Sequence, residues 1–218
     1  MGKQLGIVFT GGEGPAPEII MQITNRLAEK PLLAAADSGL LLAEAAGLKP
    51  DWITGDMDSL VNVDILSSYQ AEQLIRHTAE KDYTDTELAL TLLWEKGCDE
   101  TWIIGGGGGR LDHLLGIRDL FEREPFPRRW ITANEDVYCI DSMEKNSLTV
   151  KLEPGAIVSV FPLGGDPWQA ESYGLKWPLD TVYWKRGLYG LSNVAVNGEF
   201  SIMVKAGRFM IILPWYIK

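Results

Sequence analysis

Two aspartates one residue apart stand in Thr54-Gly55-Asp56-Met57-Asp58-Ser59, directly after the brief apolar run Asp51-Trp52-Ile53. In an extended or turning backbone both carboxylates can aim at one cation, without the wider spacing that a helix imposes. Magnesium takes a few hard oxygen ligands and keeps waters that phosphate oxygens can replace, so this pair suits Mg²⁺–nucleotide chemistry. Asp, Gly and Ser are also ordinary turn formers, and the hexapeptide alone fits a solvated turn equally well. The remainder of the chain separates the two readings.

A second stretch with chemical potential is Gly105 through Gly109 followed by Arg110-Leu111-Asp112-His113. Glycine lets backbone N–H groups approach phosphate closely, and arginine binds oxygens through its fork. It is not a Walker A loop, because no Lys-Ser/Thr follows the glycines, and a flexible turn before a helix is the plain alternative. Lys81 pairs either with phosphate or with its neighbour Asp82. Asp85 and Glu87 open a helix, where acidic residues favour the dipole; Asp85 is read as ligand-facing and Glu87 as structural. His113 makes either a ligand contact or a local hydrogen bond. The earlier loop Thr10-Gly11-Gly12-Glu13-Gly14-Pro15 misses the dinucleotide fingerprint, since Pro17 stands where the third glycine belongs, and it is read as a turn, with a loose phosphate-facing loop as the alternative. No Ser-His-Asp arrangement and no G-x-S-x-G elbow occurs, so phosphoryl or pyrophosphoryl transfer is favoured over acyl transfer.

These residues need elements to hold them. Leu5–Phe9 reads as a buried strand, followed by a helix over Glu18–Glu29. Leu32–Ala36 is a second strand ending at Asp37, and the next helix, rich in Leu and Ala, stops at Gly47. The third strand runs into Asp56 and Asp58. Glu72–Arg76 offers a fourth, followed by Asp82 and a helix from Asp85 that puts Leu88, Leu92 and Leu93 on one side. Thr101–Ile104 makes a fifth strand before the glycines, and a last helix reaches about Glu124. Alternating strands and helices predict a mostly parallel, doubly wound sheet, with ligands outside the carboxyl ends of its strands. Asp37, Asp56/Asp58, Asp82/Asp85 and Arg110/Asp112 all fall just past those ends. Solubility alone does not place carboxylates from four loops on one rim.

After Pro125-Phe126-Pro127 the character changes. Short β-like runs follow at Val137–Ile140, Leu148–Leu152, Ala156–Phe161, Gln169–Leu175, Asn193–Val196, Phe200–Val204 and Phe209–Leu213, with no intervening helix. The expectation is an α/β N-terminal domain over 1–134 and an all-β, sandwich-like C-terminal domain over 135–218.

Composition bounds the partners. At 218 residues and 46% hydrophobic, the chain can bury a sizeable core. A formal charge of −10 argues against nucleic acid as the main partner, though not against a nucleotide whose phosphates a cation neutralises. No apolar run reaches the roughly 18 residues of a membrane span, and Met1–Gln4 shows no signal-peptide pattern. Cys98 and Cys139 stand far apart without ligand-spaced neighbours and read as plain thiols of a reducing cytoplasm. With His77 and His113 the only histidines, a His-rich metal site is excluded.

Taken in order, Asp37-Ser38-Gly39, Pro50-Asp51-x-x-Thr54-Gly55-Asp56-x-Asp58-Ser59, Lys81-Asp82-x-Thr84-Asp85-x-Glu87-x-Ala89 and Gly108-Gly109-Arg110-x-Asp112-His113 resemble the thiamine pyrophosphokinase family. Tyr173-Gly174-Leu175-Lys176-Trp177-Pro178-Leu179 and Gly190-Leu191-Ser192-Asn193 extend the likeness over nearly the whole chain. The resemblance implies transfer of the β,γ-pyrophosphoryl group of ATP to the hydroxyethyl oxygen of thiamine, with Mg²⁺, giving thiamine diphosphate and AMP. It implies a homodimer whose site lies between the α/β domain of one subunit and the β domain of the other. By the same resemblance, Asp56, Asp58 and Asp82 handle Mg²⁺ and phosphates, and Asp85 and Asp112 lie near the nucleotide or the reacting hydroxyl. Asp37, Lys81, Gly108, Gly109, Arg110 and His113 are expected at the nucleotide. Trp177 is expected to stack on thiamine, with Ser192 and Asn193 lining that pocket; a core or interface tryptophan is the alternative. The chain departs from the family at Met57, where Phe is more usual, and near Ile117, where Asn is frequent. A pyrophosphokinase for another small alcohol, such as a hydroxymethylpterin, and a metal-dependent nucleotide phosphohydrolase are the rival readings.

Overall fold

The computed structural model describes residues 3–57, 63–78, 80 and 82–214, with the side chains of 63 and 64 left aside. The chain forms two compact units: residues up to Leu120 with Trp130–Ala133, and Phe121–Arg129 with the residues from Asn134 onward.

In the first unit, β1 (Leu5–Thr10), β2 (Leu32–Ala36), β3 (Trp52–Gly55), β4 (Leu74–Arg76) and β5 (Glu100–Gly105) pair in the order β5-β1-β2-β3-β4. Every pairing among them is parallel. β6 (Arg129–Ile131) adds beyond β5. Parallel strands are covered on both faces and therefore read as unbroken apolar runs: Ile7, Val8, Phe9, Ala34, Ala35, Ile53, Ile103 and Ile104 are all fully buried. The connecting helices are α1 (Pro17–Thr24), α2 (Gly39–Ala45), α3 (Asp85–Glu95) and α4 (Leu111–Leu120). α3 packs across β1, β2 and β3 and inserts Ala89, Leu90 and Leu93 into the core.

Among the boundaries that differ from the expectation, three lie in the elements around the first sheet. α1 stops at Thr24 instead of Glu29, because the Arg26 and Leu27 amides turn back to Ile23 and Thr24, three residues away. Strand β4 begins two residues late, since Ala71–Gln73 form a short 3-10 turn closed by reciprocal Gln70 and Gln73 bonds. α4 ends at Leu120, where the chain passes into the second unit.

The second unit contains β7 (Glu135–Asp141), β8 (Ser147–Lys151), β9 (Ile157–Leu163), β10 (Gln169–Tyr173), β11 (Gly190–Val194), β12 (Glu199–Ala206) and β13 (Arg208–Pro214). They form two antiparallel sheets, β11-β9-β13-β7 and β10-β12-β8. Along β12, buried Phe200, Ile202 and Val204 alternate with more open residues, the period expected of a sheet with one covered face. Those side chains share one core with Val158, Val160, Phe209 and Ile211 of the other sheet. No described helix is long and apolar enough to cross a membrane.

Candidate active site

In a parallel sheet all carboxyl ends lie along one edge, so β2 delivers Asp37, and β3 delivers Asp56, to the same rim. Asp37 adopts a left-handed backbone, φ 46°, which turns its side chain toward the end of β3. Its N–H donates to the Thr54 carbonyl at 3.1 Å, and its Oδ1 accepts the Met57 N–H at 3.2 Å. Gly55 makes room for this: a Cβ there would fall 1.8 Å from Asp37 Oδ1. Met57 itself is buried with φ 63°, so its side chain faces inward.

The third carboxylate arrives with α3. Thr84 caps this helix, accepting the Glu87 N–H at 3.2 Å while Glu87 Oε2 accepts the Thr84 N–H at 2.8 Å. Glu87 is thus engaged in a reciprocal cap. Inside the first turn, Thr86 Oγ1 meets Thr10 Oγ1 at 2.6 Å, a buried contact that fastens the helix start to the end of β1. Asp85 is held where its carboxyl shares a hydrogen bond with Asp37, and Asp56 adds its charge. Burial first, then Asp85, push the Asp37 carboxyl up to about 7. Asp37, Asp56 and Asp85 therefore converge. Carboxylate oxygens are the hard donors that Mg²⁺ takes, so the chemistry of these side chains suits that ion. Among the described residues no three His, Cys, Asp or Glu side chains by themselves form a group placed to hold a metal ion. Asp58, Ser59 and Lys81 lie outside the described residues, and Asp82 is exposed at the approach to α3.

The two glycine-rich loops meet at the same rim. Glu13 and Gly107 exchange backbone hydrogen bonds of 2.7 and 2.9 Å, and the Gly106 N–H donates to the Gly11 carbonyl at 3.0 Å. The first loop is thus part of the site's frame, although its sequence reads as a plain turn. Just beyond, Arg110 grips Asp112 through two bonds of 3.1 and 2.5 Å, both side chains open to solvent. Each stabilises the other's charge: Asp112 raises Arg110, and Arg110 holds Asp112 below the usual carboxylate range. Asp112 Oδ1 also accepts the His113 backbone N–H at 3.1 Å. Ile117 is buried and lies directly behind Gly106, an apolar position that an amide would fill poorly.

In the second unit, Trp177 is 52% exposed on a backbone that is firmly held. Buried Asn193 accepts the Trp177 N–H at 3.1 Å and donates to its carbonyl at 2.6 Å. Lys176 donates its N–H to the Val194 carbonyl at 2.8 Å, and its ammonium sits 4.6 Å from the Trp177 ring centre. The ring face thus already attracts a cation. Ser192 is exposed with φ 55°, and its N–H donates to Ser159 Oγ. The Asn193 amide is committed to the tryptophan's backbone, a role that sequence reasoning did not separate from lining a pocket.

A family model described as thiamin pyrophosphokinase, catalytic domain, matches residues 23–125, which include every converging carboxylate and the second glycine loop. The thiamine pyrophosphokinase of Bacillus subtilis (strain 168) is 28% identical over 205 residues, covering 90% of this chain and 89% of that one. Both likenesses are to thiamine pyrophosphokinases. The chain's fold agrees: the crystal structure of thiamine pyrophosphokinase from Bacillus subtilis superposes with a TM-score of 0.78 at 25% identity, covering 99% of this chain and 100% of that one. The corresponding enzyme of Geobacillus thermodenitrificans gives 0.71 at 26% identity, covering 97% of each. Glu13, Trp177, Ser192 and Asn193 lie outside the stretch that the family model matches.

Proposed function

We propose that the protein is a Mg²⁺-dependent ATP:thiamine diphosphotransferase. The observation that carries this reading is the convergence of Asp37, Asp56 and Asp85 from separate segments at the strand ends, within a family-matched stretch. In the proposed reaction the hydroxyethyl oxygen of thiamine attacks the β-phosphorus of ATP. The bond from that phosphorus to the α,β-bridging oxygen breaks, AMP leaves, and the hydroxyl proton passes to an acceptor base. A bound Mg²⁺ would supply charge to offset that building on the phosphate oxygens.

The chain's own residues then divide the work. Asp56, Asp58 and Asp82 hold the cation, with Asp37 and Asp85 beside it. Gly108, Gly109, Arg110, Lys81 and His113 take the nucleotide; Arg110 exchanges its grip on Asp112 for phosphate oxygens. Trp177, fixed by Asn193, offers its open face to the cationic heterocycle of thiamine, and Ser192 stands beside it. We assign the first unit the nucleotide and the second unit thiamine and dimer formation, with each site completed by a second copy. Exposed Tyr173, Tyr183 and Leu191 on the second unit support such an interface. Two buried free thiols suit a cytoplasmic protein.

The test measures AMP from ATP and Mg²⁺ with thiamine, with a hydroxymethylpterin, and with no acceptor. Thiamine-dependent AMP and thiamine diphosphate support the reading. AMP only with the pterin, or phosphate release without any acceptor, would replace it with one of the rivals.

A further inference from the structure

The chain leaves β1 toward β2 on one side, whereas β5 lies on the other, so the crevice between the carboxyl ends of β1 and β5 is the topological switch point of the sheet. In parallel α/β sheets nucleotides bind at such a crevice. Here it is roofed by the paired glycine loops, and Glu13 projects from that pairing. Its backbone is fixed at both ends by Gly107. Its exposed carboxylate lies across Gly108, the carboxyl carbon 2.4 Å and both oxygens 2.7 Å from where a Cβ would stand. Gly108 has φ 63° and no side chain, so the carboxylate occupies space that any other residue would take. Among the described residues this carboxylate meets no cation.

We infer that Glu13 is a specificity-determining residue whose carboxylate accepts hydrogen bonds from the two adjacent ribose hydroxyls of the bound nucleotide, an inference that rests on the proposed use of ATP. An anionic side chain at this place repels phosphate, so it does not belong to the phosphate cradle itself. A carboxylate accepts and never donates, and it has two oxygens side by side. The part of a nucleotide that is uncharged and presents two adjacent donors is the sugar. A metal role fits less well, because Asp37 and Asp56 stand at the ends of β2 and β3, across β1 from this crevice. The phosphates then lie past Gly108, along Gly109 toward Arg110 and away from the Glu13 carboxylate.

The experiment compares wild type, Glu13→Gln and Glu13→Ala with ATP, 2′-deoxy-ATP and 3′-deoxy-ATP, by kcat/KM for AMP formation with thiamine and by calorimetric binding of each nucleotide. Thermal melting checks that the variants fold, which the exposed side chain favours. Wild type is expected to prefer ATP over a deoxy analogue by about tenfold or more, the worth of one charge-assisted hydrogen bond. Glu13→Ala, which removes both contacts, should lower the ATP value by more than the loss of one hydroxyl does, and lower each deoxy analogue by only about the factor of its one remaining bond, so that the preference collapses. Glu13→Gln, which keeps one acceptor oxygen, should fall between.

A preference that survives in Glu13→Ala, or is absent from wild type, overturns the inference. So does an equal loss with all three nucleotides accompanied by a higher Mg²⁺ requirement, which would make Glu13 a metal ligand. Should wild type bind nucleotides with a Glu13-dependent preference yet form no AMP, the proposed reaction fails and the ribose contact stands. Absence of nucleotide binding removes both.

Discussion

At the scale of single residues, the site depends on a glycine as much as on its aspartates. Gly55 has φ 144°, a conformation that L side chains avoid, and an added Cβ would collide with the Asp37 carboxyl. Gly55→Ala is therefore expected to cost about 2 kcal/mol of stability through backbone strain. It should also displace Asp37 from Asp56 and Asp85, lowering kcat by about tenfold or more, because catalytic geometry tolerates little misplacement. Chemical denaturation and steady-state rates measure the two effects separately; full activity in this variant would remove Asp37 from the site. Trp177 makes the complementary case, because its ring is open whereas its backbone is tied by Asn193. Trp177→Ala should raise the KM for thiamine by about tenfold, in line with a desolvated cation–π contact, while kcat changes by less than about threefold. An unchanged thiamine KM would return the tryptophan to a purely structural role.

Elements set how precisely those residues arrive. The start of α3 carries Asp85, and two devices fix it: the reciprocal Thr84–Glu87 cap and the buried Thr10–Thr86 contact. Thr84→Ala should cost about 1 kcal/mol, the usual worth of an N-cap, and should slow turnover more than a surface change of that size does. Thermal melting alongside kcat checks this; loss of stability with turnover intact would mean that the Thr86 contact alone positions Asp85. Much of this element was legible beforehand, since Thr84-x-x-Glu87 before an apolar run is a local pattern. The strands of the parallel sheet were legible for the same reason, as burial on both faces writes continuous apolar runs such as Leu5–Phe9. What could not be read was set by partners distant in sequence. The Thr10–Thr86 contact spans 76 residues, and nothing in either neighbourhood marks it. Glu13 looked like a turn residue because its meaning comes from Gly107 and Gly108, supplied by another strand. The end of α1 was missed because past Thr24 the Arg26 and Leu27 amides turn back to Ile23 and Thr24, three residues away, a tightening that the apolar pattern Ile19, Ile20, Ile23 does not mark.

At the scale of the molecule, stability and assembly lead to separate expectations. In the second unit Arg128 pairs with Asp141, each side chain 9% exposed, and Arg128 also reaches Glu144 at 2.7 Å. Burial pushes Asp141 up, but the Arg128 guanidinium and the Met143 and Glu144 N–H groups outweigh it and hold the carboxyl below the usual range. The folded state then binds fewer protons than the unfolded chain. The stabilisation is fully present above the unfolded value of about 4 and is lost as pH falls through the lower folded value. Asp141→Asn should cost about 3 kcal/mol near neutrality, and its deficit relative to wild type should shrink in acid. Urea unfolding across that range decides; a deficit constant with pH would place the cost in packing. Assembly can be tested by mixing two defective variants. If each site takes its carboxylates from one subunit and Trp177 from the other, Asp56→Asn and Trp177→Ala are defective in different halves of the same site. A mixed dimer then holds one site with both defects and one with neither. Random exchange of equal amounts makes half the dimers mixed, so about a quarter of all sites regain both residues. Assayed at thiamine well below the wild-type KM, where Trp177→Ala keeps only about a tenth of the rate, activity should rise toward about a quarter of wild type after co-refolding or co-expression, well above the mean of the separate variants. If both residues come from one subunit, no intact site can form by exchange, and the mixture stays at that mean.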